Sequence, residues 1–211
     1  MIVIGITGPT GAGKTTALNA LEALGGAVVD CDAVYHEILE SDKALQDKLY
    51  QRFGNLRDED GRFDRKALGR VVFGDSQALA DLDAIIIPYV SAAVDRQLDA
   101  ARRGGCPAAA VDAIKLLESG LGARCDTTVA VLAPVDERVR RICLREGIDA
   151  EYAAARVSAQ KEDAFFRANC DHVLFNDCPD RESFFLRARA LFEQLLYENK
   201  GGTSTWQTKK N

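Results

Sequence analysis

The sequence predicts an α/β domain built on a parallel sheet, and three observations carry that expectation. Its first 24 residues, MIVIGITGPTGAGKTTALNALEAL, read as a buried strand, a glycine-rich loop and a helix in direct succession. Further short apolar runs recur at 27–29, 108–112, 127–133 and 172–175, each closed by turn or helix signals. Between 42 and 104 no strand pattern interrupts a series of helices, so this stretch reads as a helical insertion on the sheet.

The opening stretch is the most specific. Gly8-Pro9-Thr10-Gly11-Ala12-Gly13-Lys14-Thr15 fits the Walker A pattern, GxxxxGK followed by Ser or Thr. Glycines let the backbone fold tightly enough for successive N–H groups to point at a phosphate chain. The helix N-terminus adds free donors and partial positive charge. Lys14 is placed to reach the β- and γ-phosphates, and the Thr15 hydroxyl to ligate magnesium. The plain alternative is a glycine-rich turn with an incidental lysine. Ala17, Leu21 and Leu24 share a face of the following helix, and Gly25-Gly26 can stop it.

Composition sets bounds. The chain has 211 residues, room for one large domain, and 47% of them are hydrophobic, enough for a sizeable core. A net charge of −5 argues against a polynucleotide partner. No run approaches 18 consecutive apolar residues, so no membrane-spanning helix is expected. The N-terminus is itself a strand without a basic segment, so no signal peptide is expected. The cysteines at 31, 106, 125, 143, 170 and 178 form no CxxC pair, and there are only two histidines. Neither a metal cluster nor a disulfide framework is supported, and free thiols in a reducing cytoplasm are expected.

The second strand, Ala27-Val28-Val29, runs into Asp30-Cys31-Asp32. Two carboxylates at the carboxyl end of a strand suit a base or a magnesium ligand. Alternatively, Asp32 only caps a helix over 33–40. Leu45, Leu49 and Phe53 share a face of the next helix, which Gly54 stops, and Asp64 is placed to cap another. Pro88 suits the first position of a helix to Arg103, with Val90, Val94, Leu98 and Ala101 inward. The third strand ends in Asp112, the Walker B arrangement, with the carboxylate near magnesium through water. Glu118-Ser119-Gly120-Leu121 follows in a loop, and Pro134 closes the fourth strand.

A helix over 135–146 carries Arg138, Arg140, Arg141 and Arg145 and stops at Gly147. A second, from Asp149, carries Arg156 and Gln160. Arg141 and Arg145 lie on one face. An arginine-bearing hairpin of small residues suits a mobile cover over phosphates, and a solvated basic face is the alternative. The fifth strand ends in Asn176-Asp177. A long helix over 179–199 then turns Phe184, Ala188, Leu191 and Leu195 inward.

With these residues in view, the chain resembles the dephospho-coenzyme A kinases from Met1 to about Asn199. The likeness rests on IGITGPTGAGKTT, VVDCDAVYHEIL, FGNLRDEDGRFDRKALGRVVFGD, LESGL, RICLREGI, ARVSAQK and VLFND. Any P-loop kinase could supply the first stretch, and the order of the others is far more specific.

The resemblance implies a three-layer P-loop kinase core with a five-stranded parallel sheet (1–31, 106–134 and 170–199). It adds a helical acceptor-binding insertion (32–105), a small helical lid (135–169) and a flexible tail (200–211). It implies transfer of the γ-phosphate of ATP, with magnesium, to the ribose 3′-hydroxyl of dephospho-coenzyme A. Carried over, Gly8, Pro9, Thr10, Gly11, Ala12, Gly13, Lys14, Thr15 and Thr16 hold ATP, together with Arg145 and Asn176, the latter near adenine. Lys14, Asp32 and Arg141 are catalytic, with Asp32 the base. Arg65 and Arg156 join Asp32 at the acceptor, and Thr15 and Asp112 serve magnesium.

The pattern departs from the family at Ile87-Pro88, often His-Pro, and at Ile114-Lys115-Leu116, often Pro-Leu-Leu. A nucleotide kinase with the same core is the nearest rival. A GTPase switch would require an Asn-Lys-x-Asp motif, which is absent. Asp58-Glu59-Asp60-Gly61 fits DxxG but follows no apolar strand.

Overall fold

Strand β1 (Ile2–Thr7) lies at the centre of a five-stranded parallel sheet ordered β2-β3-β1-β4-β5. The computed structural model describes residues 1–201. β3 (Ala108–Asp112) and β4 (Thr127–Leu132) flank β1, while β2 (Ala27–Asp30) and β5 (His172–Phe175) form the edges. Each strand falls on one of the five apolar runs. Ile2 to Ile6 pair with Ala108 to Asp112, and Ile4 to Thr7 with Thr127 to Ala130.

Alternation decides what each face buries. Ile2, Ile4 and Ile6, with Val129 and Val131, face a cluster that includes Ala17 and Leu21 of α1 (Lys14–Glu22). The same cluster holds Phe184, Ala188, Phe192 and Leu195 of α9 (Arg181–Asn199). On the other face Ala130 and Leu132 meet Phe166 of α8 (Asp163–Asn169). Burial on both faces is why these strands are continuous apolar runs. Each fully buried phenylalanine or isoleucine contributes about 1.5–3 kcal/mol.

The chain divides into two units. The first holds residues 1–29 and the described residues from Ala100 onward, which include the sheet. It also contains a helical hairpin, α6 (Val135–Glu146) and α7 (Ala150–Ser158). Ile142, Ala153 and Val157 form a small core inside that hairpin. Gly147 ends α6, and the Asp149 side chain caps α7 by accepting from Tyr152 N at 2.7 Å.

The second unit, Asp30–Asp99, contains α2 (Cys31–Ser41), α3 (Lys43–Phe53), α4 (Arg65–Val72) and most of α5 (Ser76–Arg103). Its helices begin on aspartates. Asp30, Asp42, Asp64 and Asp75 each accept from a backbone N–H two or three residues ahead, at 2.8–3.0 Å. Each such cap stabilises its helix by about 1 kcal/mol.

Four expectations need correction. The cap of α2 is Asp30, not Asp32, and the helix starts at Cys31 rather than Ala33. Proline 88 does not open a helix but lies inside α5, which starts at Ser76 behind the Asp75 cap. Its missing N–H costs α5 one backbone bond. Even so, Leu82 and Ile86 before it and Val94 and Leu98 after it keep four-residue spacing, all buried, whereas Val90 is only half-buried.

The short α8 was not expected, because seven residues are too few to display a period. Finally, α7 ends at Ser158, so Gln160 lies beyond the helix expected to carry it. Apart from these corrections, α5 is long and apolar enough to cross a membrane by length and composition, alone among the described helices, a test that the core helix of a globular domain also passes. Its most apolar 18-residue window has mean hydropathy 1.4. The same helix carries Asp81, which pairs with Arg52 at 2.6 Å. None of the six cysteines is in a disulfide. The expected flexible tail lies outside the described residues, save Lys200 and Gly201 in a turn.

Candidate active site

At the end of β1 the chain enters Gly8–Gly13 and leaves it as α1. Three positions of this loop admit only glycine, among them Gly11, with φ 82° and a Cβ that would stand 2.8 Å from the Arg138 carbonyl oxygen. Gly8 has φ 138°, and a Cβ there would stand 2.1 Å from the Val131 carbonyl oxygen. Gly13 has φ 110°, and its Cβ would stand 2.5 Å from Asn176 Nδ2. The loop is thus pressed against β4 on one side and the start of the β5–α9 loop on the other. Gly13 is also the N-cap of α1 and brings no capping side chain. The donors of the first helical turn are therefore not closed off by a cap, the arrangement that suits an anion.

The loop's carbonyls are held by donors from several elements. Lys14 Nζ donates to Gly8 O at 2.8 Å. Arg141 Nη1 donates to Gly11 O at 3.2 Å and to Ala12 O at 3.4 Å. Asn176 Nδ2 donates to Ala12 O at 2.9 Å. Arg138 Nε donates to Thr10 O at 3.1 Å. The Arg138 side chain is almost wholly enclosed, and burial lowers its pKa from the usual guanidinium value while the charge of Asp163 opposes the shift. It stays a cation, since a guanidinium does not deprotonate in proteins.

A cavity of about 270 Å³ opens beside this loop, bounded by Gly13, Thr16, Arg141, Asn176, Pro179 and Phe184. Its wall is braced from α9, where Arg187 Nη1 donates to Phe175 O at 2.6 Å. Asn176 is buried, and its Oδ1 has no hydrogen-bond partner. The cavity combines an aromatic ring, a proline and a cation at the mouth of a phosphate-type loop. That lining suits a flat heterocycle joined to phosphates.

The outer end of the hairpin is arranged differently. Glu146 takes a bond from Arg145 Nη2 at 2.6 Å and another from Arg156 Nη1. These two hydrogen bonds hold the Glu146 carboxyl below the usual carboxylate range. Arg140 is paired with Glu137 at 2.8 Å.

Thr15, exposed in the first turn of α1, and Asp112, opposite Ile6 in the sheet, are hard oxygen donors close to the loop in sequence and register. That donor chemistry fits magnesium. In the second unit, Asp32 sits in the first turn of α2 with its own N–H bonded to Asp30 Oδ1 at 2.9 Å. Its carboxylate therefore takes no part in the cap. Arg65, at the start of α4, donates from Nη1 to His36 Nδ1 at 2.7 Å and lies 3.8 Å from Glu40.

Of the residues singled out in the sequence, Gly8 to Thr16, Arg141 and Asn176 come together around the loop. Arg145 and Arg156 meet at Glu146, while Asp32 and Arg65 belong to the second unit. Two residues with no assigned role prove to touch the loop, Arg138 and Gln160. Gln160 was visible in the ARVSAQK stretch, four residues after Arg156, but nothing there pointed to Thr10. Arg138 was one of four arginines on α6, with nothing to mark it as the buried one.

A nucleotide-type loop on a parallel sheet, with arginines on a flanking hairpin, defines the protein as a P-loop kinase, an enzyme that transfers phosphate. Comparison with known proteins narrows the class. The family model described as dephospho-CoA kinase (CoaE) matches residues 2–181. A dephospho-CoA kinase of Latilactobacillus sakei is 32% identical over 173 residues, covering 82% of this chain and 86% of that protein. One from Thermobifida fusca is 31% identical over 196 residues, covering 92% and 96%. The crystal structure of TT1252 from Thermus thermophilus superposes with a TM-score of 0.75 at 33% identity, covering 92% and 97%. The dephospho-CoA kinase from Campylobacter jejuni, at 22% identity, TM-score 0.69 and coverage of 93% and 98%, shares the fold. The chain belongs to the dephospho-CoA kinase family, which carries out the last step of coenzyme A biosynthesis.

Proposed function

We propose that the protein transfers the γ-phosphoryl group of ATP to the ribose 3′-hydroxyl of dephospho-coenzyme A, giving coenzyme A and ADP in the cytoplasm. The observation that carries this reading is the convergence of Lys14 and Arg141 on the carbonyls of one glycine-rich loop. Two cations at that position neutralise a polyphosphate and the charge that spreads over the migrating group.

Lys14 holds the β- and γ-phosphates. Asn176 and the cavity beside it receive the adenine. Asp32 accepts the proton of the acceptor hydroxyl, and Arg65 holds the acceptor's anionic groups. Arg145 and Arg156 exchange Glu146 for substrate phosphates, Arg145 on the nucleotide and Arg156 on the acceptor. Residues 32–105 act as the acceptor-binding region and 135–169 as the lid. Thr15 and, through water, Asp112 would hold magnesium, which would supply charge neutralisation for the transferred phosphoryl group.

The test is turnover with Mg-ATP across adenosine-containing acceptors, with the product's phosphate position fixed by phosphorus NMR. Dephospho-coenzyme A should be converted to the 3′-phosphate, and adenosine monophosphate should be a poor acceptor. Rapid turnover of simple nucleoside monophosphates, with none on dephospho-coenzyme A, would sink the reading.

A further inference from the structure

Every polar group of Thr10 is engaged by the residues that follow the fourth strand. Its N–H donates to Gln160 Oε1 at 3.0 Å. Its hydroxyl accepts from Gln160 Nε2 at 2.9 Å. Its carbonyl accepts from Arg138 Nε at 3.1 Å, and Arg138 Nη2 in turn donates to Gln160 Oε1 at 2.8 Å. Four hydrogen bonds thus close a ring of three residues that lie 128 and 150 positions from Thr10 along the chain.

Neither Arg138 nor Gln160 extends this contact to a group that must meet the reacting phosphate. Arg138 is 3% exposed and therefore cannot follow a ligand. We infer that Gln160 and Arg138 are positioning residues that set the Walker loop in its phosphate-binding shape before nucleotide arrives.

The physical case is one of entropy. Fixing the backbone of one residue costs roughly 1–2 kcal/mol, and a loop that orders only on binding takes that cost from its affinity. Thr10 immediately precedes Gly11 to Thr15, where the backbone has few side chains to restrain it. Clamping Thr10 at both its N–H and its C=O fixes the entry to that segment during folding. The charge helps as well. A hydrogen bond from a buried guanidinium is stronger than one between neutral groups, so Arg138 holds the Gln160 oxygen in place for the Thr10 amide. A glutamine is the residue type that can accept from two donors and donate to a hydroxyl at once.

The inference rests on the reading that this loop holds ATP, and the experiment separates the two. Mg-ATP affinity is measured by titration calorimetry on wild type, Gln160→Ala, Gln160→Glu and Thr10→Val, with kcat, both KM values and melting temperature for each. In Gln160→Ala, the Kd for Mg-ATP should rise about tenfold, the size of a ~1.4 kcal/mol loss. The acceptor KM should not change. Gln160→Glu keeps an oxygen for Thr10 N–H and Arg138, and its second oxygen can accept from the Thr10 hydroxyl. It should restore affinity to within about threefold.

Thr10→Val removes only the hydroxyl bond and should weaken Mg-ATP by about threefold. It therefore carries the test even if Gln160→Ala fails to fold. Wild-type Kd in both Gln160→Ala and Thr10→Val would overturn the inference, as would a loss in Gln160→Ala that Gln160→Glu does not restore. A lowered melting temperature with unchanged Kd marks a merely structural clamp and overturns it too. Failure of the wild type itself to bind Mg-ATP would instead overturn the nucleotide reading.

Discussion

Two strand-to-helix junctions, β1 to α1 and β2 to α2, meet the same backbone problem in opposite ways. Both deliver a helix N-terminus to the carboxyl end of a strand. Between β1 and α1 lie six residues, and the N-cap is Gly13, which has no side chain to offer. Between β2 and α2 there is no loop at all. Asp30 ends the strand and caps the helix, bonding to Asp32 N and Ala33 N. The first junction leaves its helix end for an outside anion, and the second spends its first carboxylate on its own backbone. The same three letters, Asp-Cys-Asp, therefore hold two different aspartates. One is committed to the fold, and the other, outside the cap, is the proposed base.

The largest break in that comparison should come from Asp32→Asn. This change is nearly isosteric, leaves the Asp30 cap intact and removes the proposed base. It should keep Mg-ATP affinity and lower kcat by about 10²–10⁴, read by steady-state kinetics. If Asp32→Asn turns over normally while Asp30→Asn is folded but dead, the two roles must be exchanged. Arg141→Ala comes next, because it removes a cation from the first junction. A kcat loss of roughly 10²–10³ is expected, with a smaller change in acceptor KM. Lysine should rescue poorly, since it lacks the planar fork that can offer Nη2 to a phosphate while Nη1 is on Gly11 O and Ala12 O.

Gly13→Ala tests the uncapped end by steric means. The left-handed backbone and the close Asn176 amide should together cost about 1–3 kcal/mol, visible as a lower melting temperature and weakened nucleotide binding. Asp30→Ala is the mildest of the destabilising changes. Losing the cap should cost about 1 kcal/mol, roughly 2–4 °C in melting temperature. Asp30→Asn, which caps as well as aspartate, should leave both stability and kcat within experimental scatter of wild type.

The contrast also explains what could be read from the residues alone. The strand positions were legible because burial on both faces leaves short apolar runs, as in Ile2 to Ile6 and Thr127 to Leu132. The loop was legible because its glycines and lysine carry a spacing that few other structures need. Asp64 announced itself as a cap for the same reason that Asp30 did not. A lone aspartate before a helix is unambiguous, but two aspartates astride a cysteine leave the choice to one residue of helix register. Pro88 misled because its preference for a first turn is statistical, whereas α5 is held by the burial of Leu82, Ile86 and Leu98 on either side of it. Arg138 and Gln160 were illegible as a pair. Their meeting with Thr10 spans 128 and 150 positions, and no local pattern encodes it.

The strand order has a consequence of its own. From β1 the chain departs toward the β2 edge, whereas from the adjacent β3 it departs the other way, past β1 to β4. Connections that leave neighbouring strands in opposite directions lie on opposite faces of the sheet when both crossovers are right-handed, and a crevice opens between the carboxyl ends of those strands. Asp112 is the last residue of β3 and stands opposite Ile6, one residue before the end of β1. The carboxylate and the glycine-rich loop are thus brought to the same crevice by the permutation of strands, before any side chain is chosen. Lengthening a connecting segment leaves that address intact. Exchanging β3 with an edge strand would erase it, even with every residue of the loop retained.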